Sequence, residues 1–457
     1  MGAYTSQSMR AMPGHGQQAT PALFILALLS STAFDYVWIG PVPLWLAFAA
    51  LGLGAMLLEY SGMAKLFRVL SHVGRPILVP WMLFIVVHSA IAIVHGLEPG
   101  GIRKSLIYST AALLLFTMMA VWSSRARFST VIYAIGAIAI LEGAVAIAQT
   151  MGVHAAWRIP DLLSAVFPHT DPEASTLVDH IENAGRARGT MQLVHKFNAM
   201  QGLMCAILVT VTALGFHIKD AALVRRRFVT LATLLGVIGM ALTFSRSTVI
   251  GLTLVIVFVT MKRGVTMRRS SAIAFALTAL IIAAIIGSVV MNYDDRTASR
   301  LTSFSLASRE NIERVQFVEI AWNVFKSSIL IGDPALSPSG PLAMPIHSVP
   351  LRIFIDTGLV GFAFYLFVLM QLARVFWKAS RSNDRYVALA GTMGVAAFLM
   401  GFIDATTHSS GLLQNDFLQP AIFGMICGLI SGRQTVVDVR QNADSAIRPA
   451  IPAAPVS

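Results

Sequence analysis

The chain has 457 residues, of which 56% are hydrophobic and only 12% carry charged side chains. A soluble protein carries roughly twice that charged fraction, so the composition excludes an ordinary soluble enzyme and indicates a polytopic membrane protein. The formal net charge of +12 is therefore interpreted first as a determinant of membrane orientation, and no nucleic-acid partner is expected.

The chain begins with a polar stretch, residues 1–20, that is rich in Gly and Gln and is expected to be a disordered tail. Apolar segments long enough to cross a bilayer follow it. They lie near residues 21–39, 42–58, 77–95, 104–123, 129–151, 198–217, 228–244, 247–261, 270–291, 349–376, 386–404 and 416–432. The sequence therefore predicts an all-α polytopic membrane protein with about 12 transmembrane helices over residues 21–432. Residues 433–457 are expected to form a second disordered tail.

Basic side chains are concentrated in alternate loops of this predicted bundle. The basic loops lie near residues 65–75, 125–127, 219–227, 262–269 and 374–385. With about 12 crossings all of them fall on one side, and the positive-inside rule makes that side the cytoplasm, together with both termini. The opposite face then carries two large loops, about 152–197 and 292–348, and loops of this length are often functional.

One apolar run, Phe228–Met261, is interrupted only by Ser245-Arg246-Ser247. As a straight helix it would be about 50 Å long, against a hydrocarbon core of about 30 Å. The chain is therefore predicted to turn at this tripeptide and to hold Arg246 at the non-cytoplasmic membrane surface. An arginine there can anchor a phosphate group. It can also be a snorkelling residue at a helix end, and taken alone the position favours that second interpretation.

Within the second large loop, residues 308–330 are predicted to form a helix with Ser308 as its N-cap. An apolar stripe with helical spacing consists of Ile312, Val315, Val318, Ala321, Trp322 and Phe325. Trp322 and its basic neighbours suit a helix at the membrane interface. Packing on the helix bundle is the alternative, and the sequence does not separate the two.

The predicted non-cytoplasmic face is rich in cationic side chains. They are Arg186, Arg188, His195 and Lys196 in the first large loop, Arg296, Arg300, Arg309 and Arg314 in the second, and His347 before the next helix. Arginines bind phosphate without a metal, and a neutral histidine can accept a proton from a hydroxyl group. In that next helix Arg352 and Asp356 are four residues apart and can pair, either as a structural ion pair or as part of a site.

Other functional classes lack their motifs in this sequence. No metal-ligand spacing is present, so no metal is expected, and no glycine-rich phosphate loop follows a strand, so no nucleotide or other cofactor is expected. Four polar residues on or near helices receive no role at this stage. They are His88, Glu142, Asp404 and His408.

Three stretches of the chain resemble motifs of the O-antigen ligase/polymerase superfamily of bacterial membrane glycosyltransferases. They are Arg188-Gly189-Thr190 followed by Asn198; Phe244-Ser245-Arg246-Ser247 followed by Gly251; and His347-Ser348, Leu351, Asp356, Gly358 and Gly361. The likeness covers roughly residues 185–405. Two departures occur. In residues 328–334 the proline that the family often has before the first glycine is missing, and so is its second glycine; Asp356 stands where glutamate is commoner.

The resemblance implies a multi-pass protein of the bacterial inner membrane whose active site faces the periplasm. Residues 21–432 would then form a transmembrane glycosyltransferase domain. The donor would be a glycan on undecaprenyl pyrophosphate, with its lipid chain among the helices and the membrane lipids. The acceptor would be a hydroxyl group of lipid A core or of a growing glycan.

The resemblance also implies roles for individual residues. Arg188 and Arg246 would bind the pyrophosphate and stabilise the charge that develops on it. His347 would orient or deprotonate the acceptor hydroxyl, with inversion at the anomeric carbon. Around these groups, Arg352, Asp356 and Arg309 would give secondary support.

Several functions remain open at this point. A ligase and a repeat-unit polymerase, for O-antigen or an exopolysaccharide, would share the motifs, and the ligase is slightly favoured. A transporter or flippase for lipid-linked sugars is less favoured, because no internal repeats or broken helices are visible in the sequence. A structural scaffold would not need His347 and the arginines on one face.

Overall fold

The computed structural model describes residues 16–32, 38–39, 42–59, 62–96, 99–123, 127–159, 187–191, 194–215, 224–243, 245–263, 309–333, 348–407 and 418–431. Helices dominate these ranges. They are α1 (Gly16–Thr32), α2 (Leu44–Leu58), α3 (Gly62–Val69), α4 (Arg75–Val94), α5 (Pro99–Val121), α6 (Phe128–Thr150), α7 (Val194–Leu214), α8 (Arg226–Ala241), α9 (Arg246–Arg263), α10 (Arg309–Ser327), α11 (Val349–Ser380), α12 (Arg385–Thr407) and α13 (Leu418–Ser431).

Two short non-α elements complete the described part. A π-helical turn, Leu70–Gly74, joins α3 to α4. Strands β1 (Trp38–Ile39) and β2 (Val42–Pro43) pair antiparallel between α1 and α2. The first predicted apolar segment, 21–39, therefore ends earlier as a helix than expected, because its last residues form a strand.

Within the described residues, six helices are long and apolar enough to cross a membrane, which confirms an all-α polytopic membrane protein. They are α4, α5 from Lys104, α6, α7 from Phe197, α11 and α12. Helices cover eleven of the predicted apolar segments, and the remaining segment, 270–291, lies outside the described residues. The count of about 12 crossings stays a prediction.

The predicted tails lie mostly outside the described residues. Helix α1 begins at Gly16, inside the stretch expected to be disordered, because a polar first turn extends the helix beyond its apolar segment. Residues 1–15 and 432–457 are outside the described part of the chain.

Helix α7 lies at the centre of the bundle. Its membrane-length segment is 89% buried, against 39–67% for the other five candidates. It packs against α6, α8, α9 and α12. The buried amide of Gln201 donates to the carbonyl oxygens of Ala139 on α6 and Gly236 on α8, both at 3.2 Å. The loop of residues 187–191, which precedes α7 along the chain, is therefore attached to the most buried of the six membrane-length helices in the described part of the chain.

Helix α11 is interrupted at Gly358, where φ is 61° and ψ is −161°. Residues 329–333, which follow α10, fill the interruption with their backbone. The amide groups of Leu359 and Val360 donate to the carbonyl oxygens of Ile329 and Leu330 at 2.8 and 3.2 Å, and Asp333 N donates to Ile355 O at 2.8 Å. Backbone groups freed inside a membrane helix need such partners. No broken helix was visible in the sequence, whereas α11 is broken at Gly358.

Two glycines make this junction possible. A Cβ atom on Gly332 would lie 2.5 Å from the backbone nitrogen of Gly358, and Gly332 itself has a φ of 71°. A Cβ atom on Gly358 would lie 2.5 Å from the carbonyl oxygen of Leu330. The two backbones cross at a distance that no side chain permits, and both glycines have left-handed conformations. We call residues 328–333 with 355–360 the α10–α11 junction.

Helix α10 packs on the bundle and still presents a second apolar face. Phe317, Ala321 and Val324 are buried against Ile355 of α11. The opposite side chains are exposed: Val315 (52%), Val318 (60%), Trp322 (54%) and Phe325 (47%). Four of the six residues of the predicted stripe thus share one exposed face, whereas Ala321 belongs to the buried face. The side chain of Ile312 lies outside the described part of the structure. Bundle packing, the second alternative from the sequence, is present.

Candidate functional site

The first family-like stretch forms a short buried loop, Ala187–Met191, which we call the Arg188 loop. Gly189 has a φ of 61°, a conformation that suits glycine. Arg188 is only 6% exposed, and its guanidinium donates to the carbonyl oxygen of Trp157 at 3.4 Å and lies 5.8 Å from the centre of the Trp157 ring. The loop therefore places a buried cation, in partial contact with an aromatic ring, directly before α7.

Two side chains of α6 hold the Arg188 loop. Glu142 is fully buried and accepts hydrogen bonds from the backbone nitrogen (2.8 Å) and the hydroxyl (2.6 Å) of Thr190. Gln149 accepts from the backbone nitrogens of Arg188 and Gly189 and donates to the carbonyl oxygen of Gly189. Glu142 had no role from the sequence, and Gln149 was not identified there. Neither has a local sequence signal, because their partners lie about 40 residues away or more.

The second family-like stretch forms the predicted turn. Helix α8 ends at Ala241 and α9 begins at Arg246, so the chain does turn at Ser245-Arg246-Ser247. The hydroxyls of Ser245 and Ser247 are buried and lie 2.9 Å apart. Arg246 occupies the first position of α9, and its side chain lies outside the described part of the structure. We call residues 245–247 the Ser-Arg-Ser turn.

Asn198 of α7 joins the two stretches. Its amide nitrogen donates to the hydroxyl of Ser245 at 3.2 Å. Its amide oxygen accepts from the hydroxyls of Thr243, at 3.2 Å, and Thr248. Asn198 is 1% exposed. Both the nitrogen and the oxygen of its side-chain amide have hydrogen-bond partners, and these partners lie between Thr243 and Thr248.

A backbone contact brings the Arg188 loop to the same place. The amide of Ala187 donates to the carbonyl oxygen of Leu242, at the end of α8, over 3.2 Å. The Arg188 loop, the start of α7 and the Ser-Arg-Ser turn are therefore one buried polar unit. The structure thus brings together two of the three family-like stretches, although they are far apart in the sequence.

The third stretch is described from Ser348 onwards, and His347 lies outside the described residues. Helix α11 begins at Val349, at the position predicted from the sequence. Asp356 is 4% exposed, and its Oδ2 atom lies 3.9 Å from Nε of Arg352, so the predicted pair is confirmed. The nearer cation is Lys104 of α5, whose Nζ donates to the same oxygen at 2.5 Å.

Lys104 was missed by the sequence analysis because it is 252 positions from its partner. It lies beside a second polar group that the sequence left without a role. His88 of α4 is buried and its Nδ1 lies 2.9 Å from the hydroxyl of Ser105, which also accepts from Ser89 at 3.1 Å. The starts of α5 and α11 and the middle of α4 are thus linked by polar side chains.

The structure describes the surroundings of the remaining candidate residues less fully. Arg309 is the first residue of α10, with its side chain outside the described part. Asp404 is buried on α12. The described part of the structure does not include the side chains of Arg186, His195, Lys196, Arg296, Arg300, Arg314 and His408. Of the two predicted pyrophosphate ligands, Arg188 is therefore the one whose side chain the structure describes.

Comparison with known protein families places this geometry in context. Residues 231–366 match the family model described as O-antigen ligase. This part of the chain is therefore similar to an O-antigen ligase. The matched part runs from α8 to the middle of α11, so it includes the Ser-Arg-Ser turn, His347 and the α10–α11 junction. The resemblance found from the sequence is confirmed, although the match covers less than a third of the chain and leaves out Arg188.

The O-antigen ligase family contains glycosyltransferase-like ligases and polymerases, which supports an enzyme of polysaccharide biosynthesis acting at a bacterial membrane. No curated protein matches the chain.

Proposed function

We propose that this protein is an O-antigen ligase-like glycosyltransferase of the bacterial inner membrane. It would move a glycan from undecaprenyl pyrophosphate to an acceptor hydroxyl on the periplasmic face, with both termini in the cytoplasm. The observation that carries the proposal is the buried polar unit that joins the Arg188 loop to the Ser-Arg-Ser turn. A unit of this kind brings the backbones of Arg188 and Arg246 to one region of the bundle, as two ligands of one pyrophosphate require.

The chemistry follows from the leaving group. The acceptor oxygen attacks the anomeric carbon of the donor sugar, the carbon–oxygen bond to the pyrophosphate breaks, and the pyrophosphate leaves with the electron pair. Negative charge grows on the leaving oxygen during this step. Arg188 and Arg246 would stabilise that charge through bidentate hydrogen bonds, and the reaction then needs neither a nucleotide nor a metal.

His347 would act on the acceptor. It stands two residues before α11, whose first half is held by the Lys104–Asp356 ion pair and by the α10–α11 junction. A histidine can orient the acceptor hydroxyl or take its proton. Arg352, Asp356 and Arg309 would support the site, and Lys104 would join this group because it pairs with Asp356.

Ligase and polymerase differ only in the acceptor. Lipid A core would serve a ligase, and the end of a growing glycan would serve a polymerase. The family match is compatible with both. The break in α11 removes one argument against a transporter, but the chain's own residues 329–333 occupy that break, so it offers no open backbone to a transported sugar.

The test is the pool of lipid-linked glycan in a strain that lacks this protein. Long chains on undecaprenyl pyrophosphate, never attached to an acceptor, are expected for a ligase. Single repeat units exposed to the periplasm would indicate the polymerase, and single units trapped on the cytoplasmic side would indicate a flippase. An unchanged pool would overturn the glycosyltransferase proposal.

A further inference from the structure

Glu142 and Gln149 lie on one face of α6. They are seven residues apart, about two helical turns, and their side chains are 0% and 2% exposed. Buried polar side chains in a membrane helix are costly unless their hydrogen bonds are made. Both side chains form hydrogen bonds to the Arg188 loop, so α6 holds this loop at two positions that are two helical turns apart.

The amide of Gln149 is used at both ends. Its oxygen accepts from the backbone nitrogens of Arg188 at 2.9 Å and Gly189 at 3.1 Å. Its nitrogen donates to the carbonyl oxygens of Gly189 at 2.6 Å and Ala156 at 3.1 Å. Only an amide offers two acceptor and two donor positions in this arrangement.

The side chain of Gln149 also connects the backbone of Arg188 to the segment that its guanidinium contacts. Ala156 belongs to the same helical segment, 154–159, as Trp157, whose carbonyl oxygen and ring contact the Arg188 guanidinium. The Trp157 indole nitrogen donates in turn to the backbone oxygen of Gln149 at 3.0 Å. Gln149 therefore fixes both the backbone of Arg188 and the surface on which its guanidinium lies.

The loop has little freedom around these bonds. A Cβ atom on Gly189 would lie 2.6 Å from the ring of Phe197 and closer still to a carboxylate oxygen of Glu142. The left-handed conformation of Gly189 is thus enclosed by Glu142 on one side and by α7 on the other. A small displacement of either α6 side chain would move Arg188 with it.

We infer that Gln149 and Glu142 are positioning residues that set the direction of Arg188 toward the donor pyrophosphate. The inference rests on the proposed function, since it takes Arg188 as a pyrophosphate ligand. Neither residue touches the reacting atoms in this account. They act through Arg188, and their effect is on donor binding and on the transfer that follows it.

The decisive variant is Gln149→Glu, which keeps the size of the side chain and removes both donors. The new carboxylate would face the carbonyl oxygens of Gly189 and Ala156, so the loop must shift. The affinity of the full-length protein in nanodiscs for undecaprenyl pyrophosphate is expected to fall about tenfold or more, since a buried polar group loses its partners. Thr150→Val is the matched control: Thr150 is the next residue of α6, and its hydroxyl bonds only to its own helix, at Ala146 O.

A second pair of variants tests Glu142 without changing it. Thr190→Val removes the hydroxyl that Glu142 binds, whereas Thr190→Ser retains it. Thr190→Val is expected to weaken binding of undecaprenyl pyrophosphate by several fold, whereas Thr190→Ser is expected to keep most of the affinity of the parent protein. Equal affinity in the two variants would overturn the assignment of Glu142.

A double-mutant cycle separates positioning from general stability. If Gln149 acts through Arg188, Gln149→Glu weakens binding in the parent protein and has no further effect once Arg188 is changed to Ala. Equal losses in both backgrounds would show a purely structural role and overturn the inference. If Arg188→Ala alone leaves binding unchanged, the proposed function itself fails at this residue. If Arg188→Ala weakens binding and Gln149→Glu does not, only the positioning inference fails.

Discussion

The Arg188 loop and the first half of α11 hold their charged side chains by different means. Around Arg188 the supports are neutral hydrogen bonds from Gln149 and a buried carboxylate that binds Thr190. At the start of α11 the support is an ion pair, Lys104–Asp356. The Arg188 loop is held through its backbone, by bonds to Gln149 and Glu142, whereas the contacts at Asp356 join side chains only. If the proposed function holds, the Arg188 loop supports a ligand of the pyrophosphate, and α11 begins two residues after the proposed acceptor-binding residue His347 in the sequence.

Backbone geometry adds a second contrast. The Arg188 loop needs one left-handed glycine, enclosed by side chains, whereas the α10–α11 junction needs two glycines whose backbones touch. Side chains can be repacked after a substitution, but backbones that cross cannot separate without breaking their hydrogen bonds. The junction is therefore expected to be the more fragile of the two regions.

The largest effect is expected at the junction. Gly358→Ala places a methyl group against the backbone of Leu330 and Gly332 and strains a left-handed residue, at a cost of about 3 kcal/mol or more. Folded protein in the membrane should largely disappear, as measured by detergent-extracted monodisperse yield. Gly54→Ala is the control, since nothing lies within 4 Å of the added Cβ. Normal yield of Gly358→Ala would refute the close crossing.

The next largest effect is expected for Arg246, and it concerns glycan transfer and not the amount of folded protein. Arg246→Lys should lower glycan transfer nearly as much as Arg246→Ala, by about 100-fold or more, because lysine cannot make the bidentate contact to phosphate. Transfer is measured as mature surface glycan at equal protein level. Full activity of Arg246→Lys would make the residue only a charge or a helix-end anchor.

Breaking the Lys104–Asp356 ion pair should lower the stability by a smaller amount, and a second substitution should recover much of it. In Lys104→Met the more distant Arg352 is the one cation left beside the buried Asp356 among the described residues, and the free energy of unfolding should fall by about 1–3 kcal/mol. Adding Asp356→Leu to the same protein should recover much of the loss, since no buried charge remains. A double variant that is less stable than Lys104→Met would contradict the pairing.

The smallest effects are expected on α10, where the two faces of one helix provide matched variants. Val324→Ala, in the face buried against α11, should cost about 1–3 kcal/mol, because it leaves a cavity. Val318→Ala, on the exposed face, should change stability by no more than about 0.5 kcal/mol. Thermal unfolding in nanodiscs measures both, and equal costs would contradict the assignment of the faces.

Much of the fold was predictable, because apolar segments of membrane length have a strong local signal. The turn at Ser245-Arg246-Ser247 followed from length alone, and the Arg352–Asp356 pair followed from helical spacing. The two faces of α10 could not be distinguished, since both are apolar and only the position of α11 decides which one is buried.

The supports of the site were not predictable for a different reason. Lys104 reaches Asp356 across 252 positions, and Glu142 reaches Thr190 across 48. No periodicity in one sequence encodes such contacts. The break at Gly358 was also hidden, because apolar residues continue on both sides of it and its partners lie in residues 329–333.

The most direct test of the central claim is the release of undecaprenyl pyrophosphate by the purified full-length protein in nanodiscs, given a lipid-linked glycan donor and an acceptor. The parent protein should release it in step with glycosylation of the acceptor, and His347→Ala at equal folded yield should release none. Release that continues unchanged in His347→Ala would contradict the role of His347, and no release by the parent protein with either lipid A core or a glycan acceptor would contradict the account as a whole.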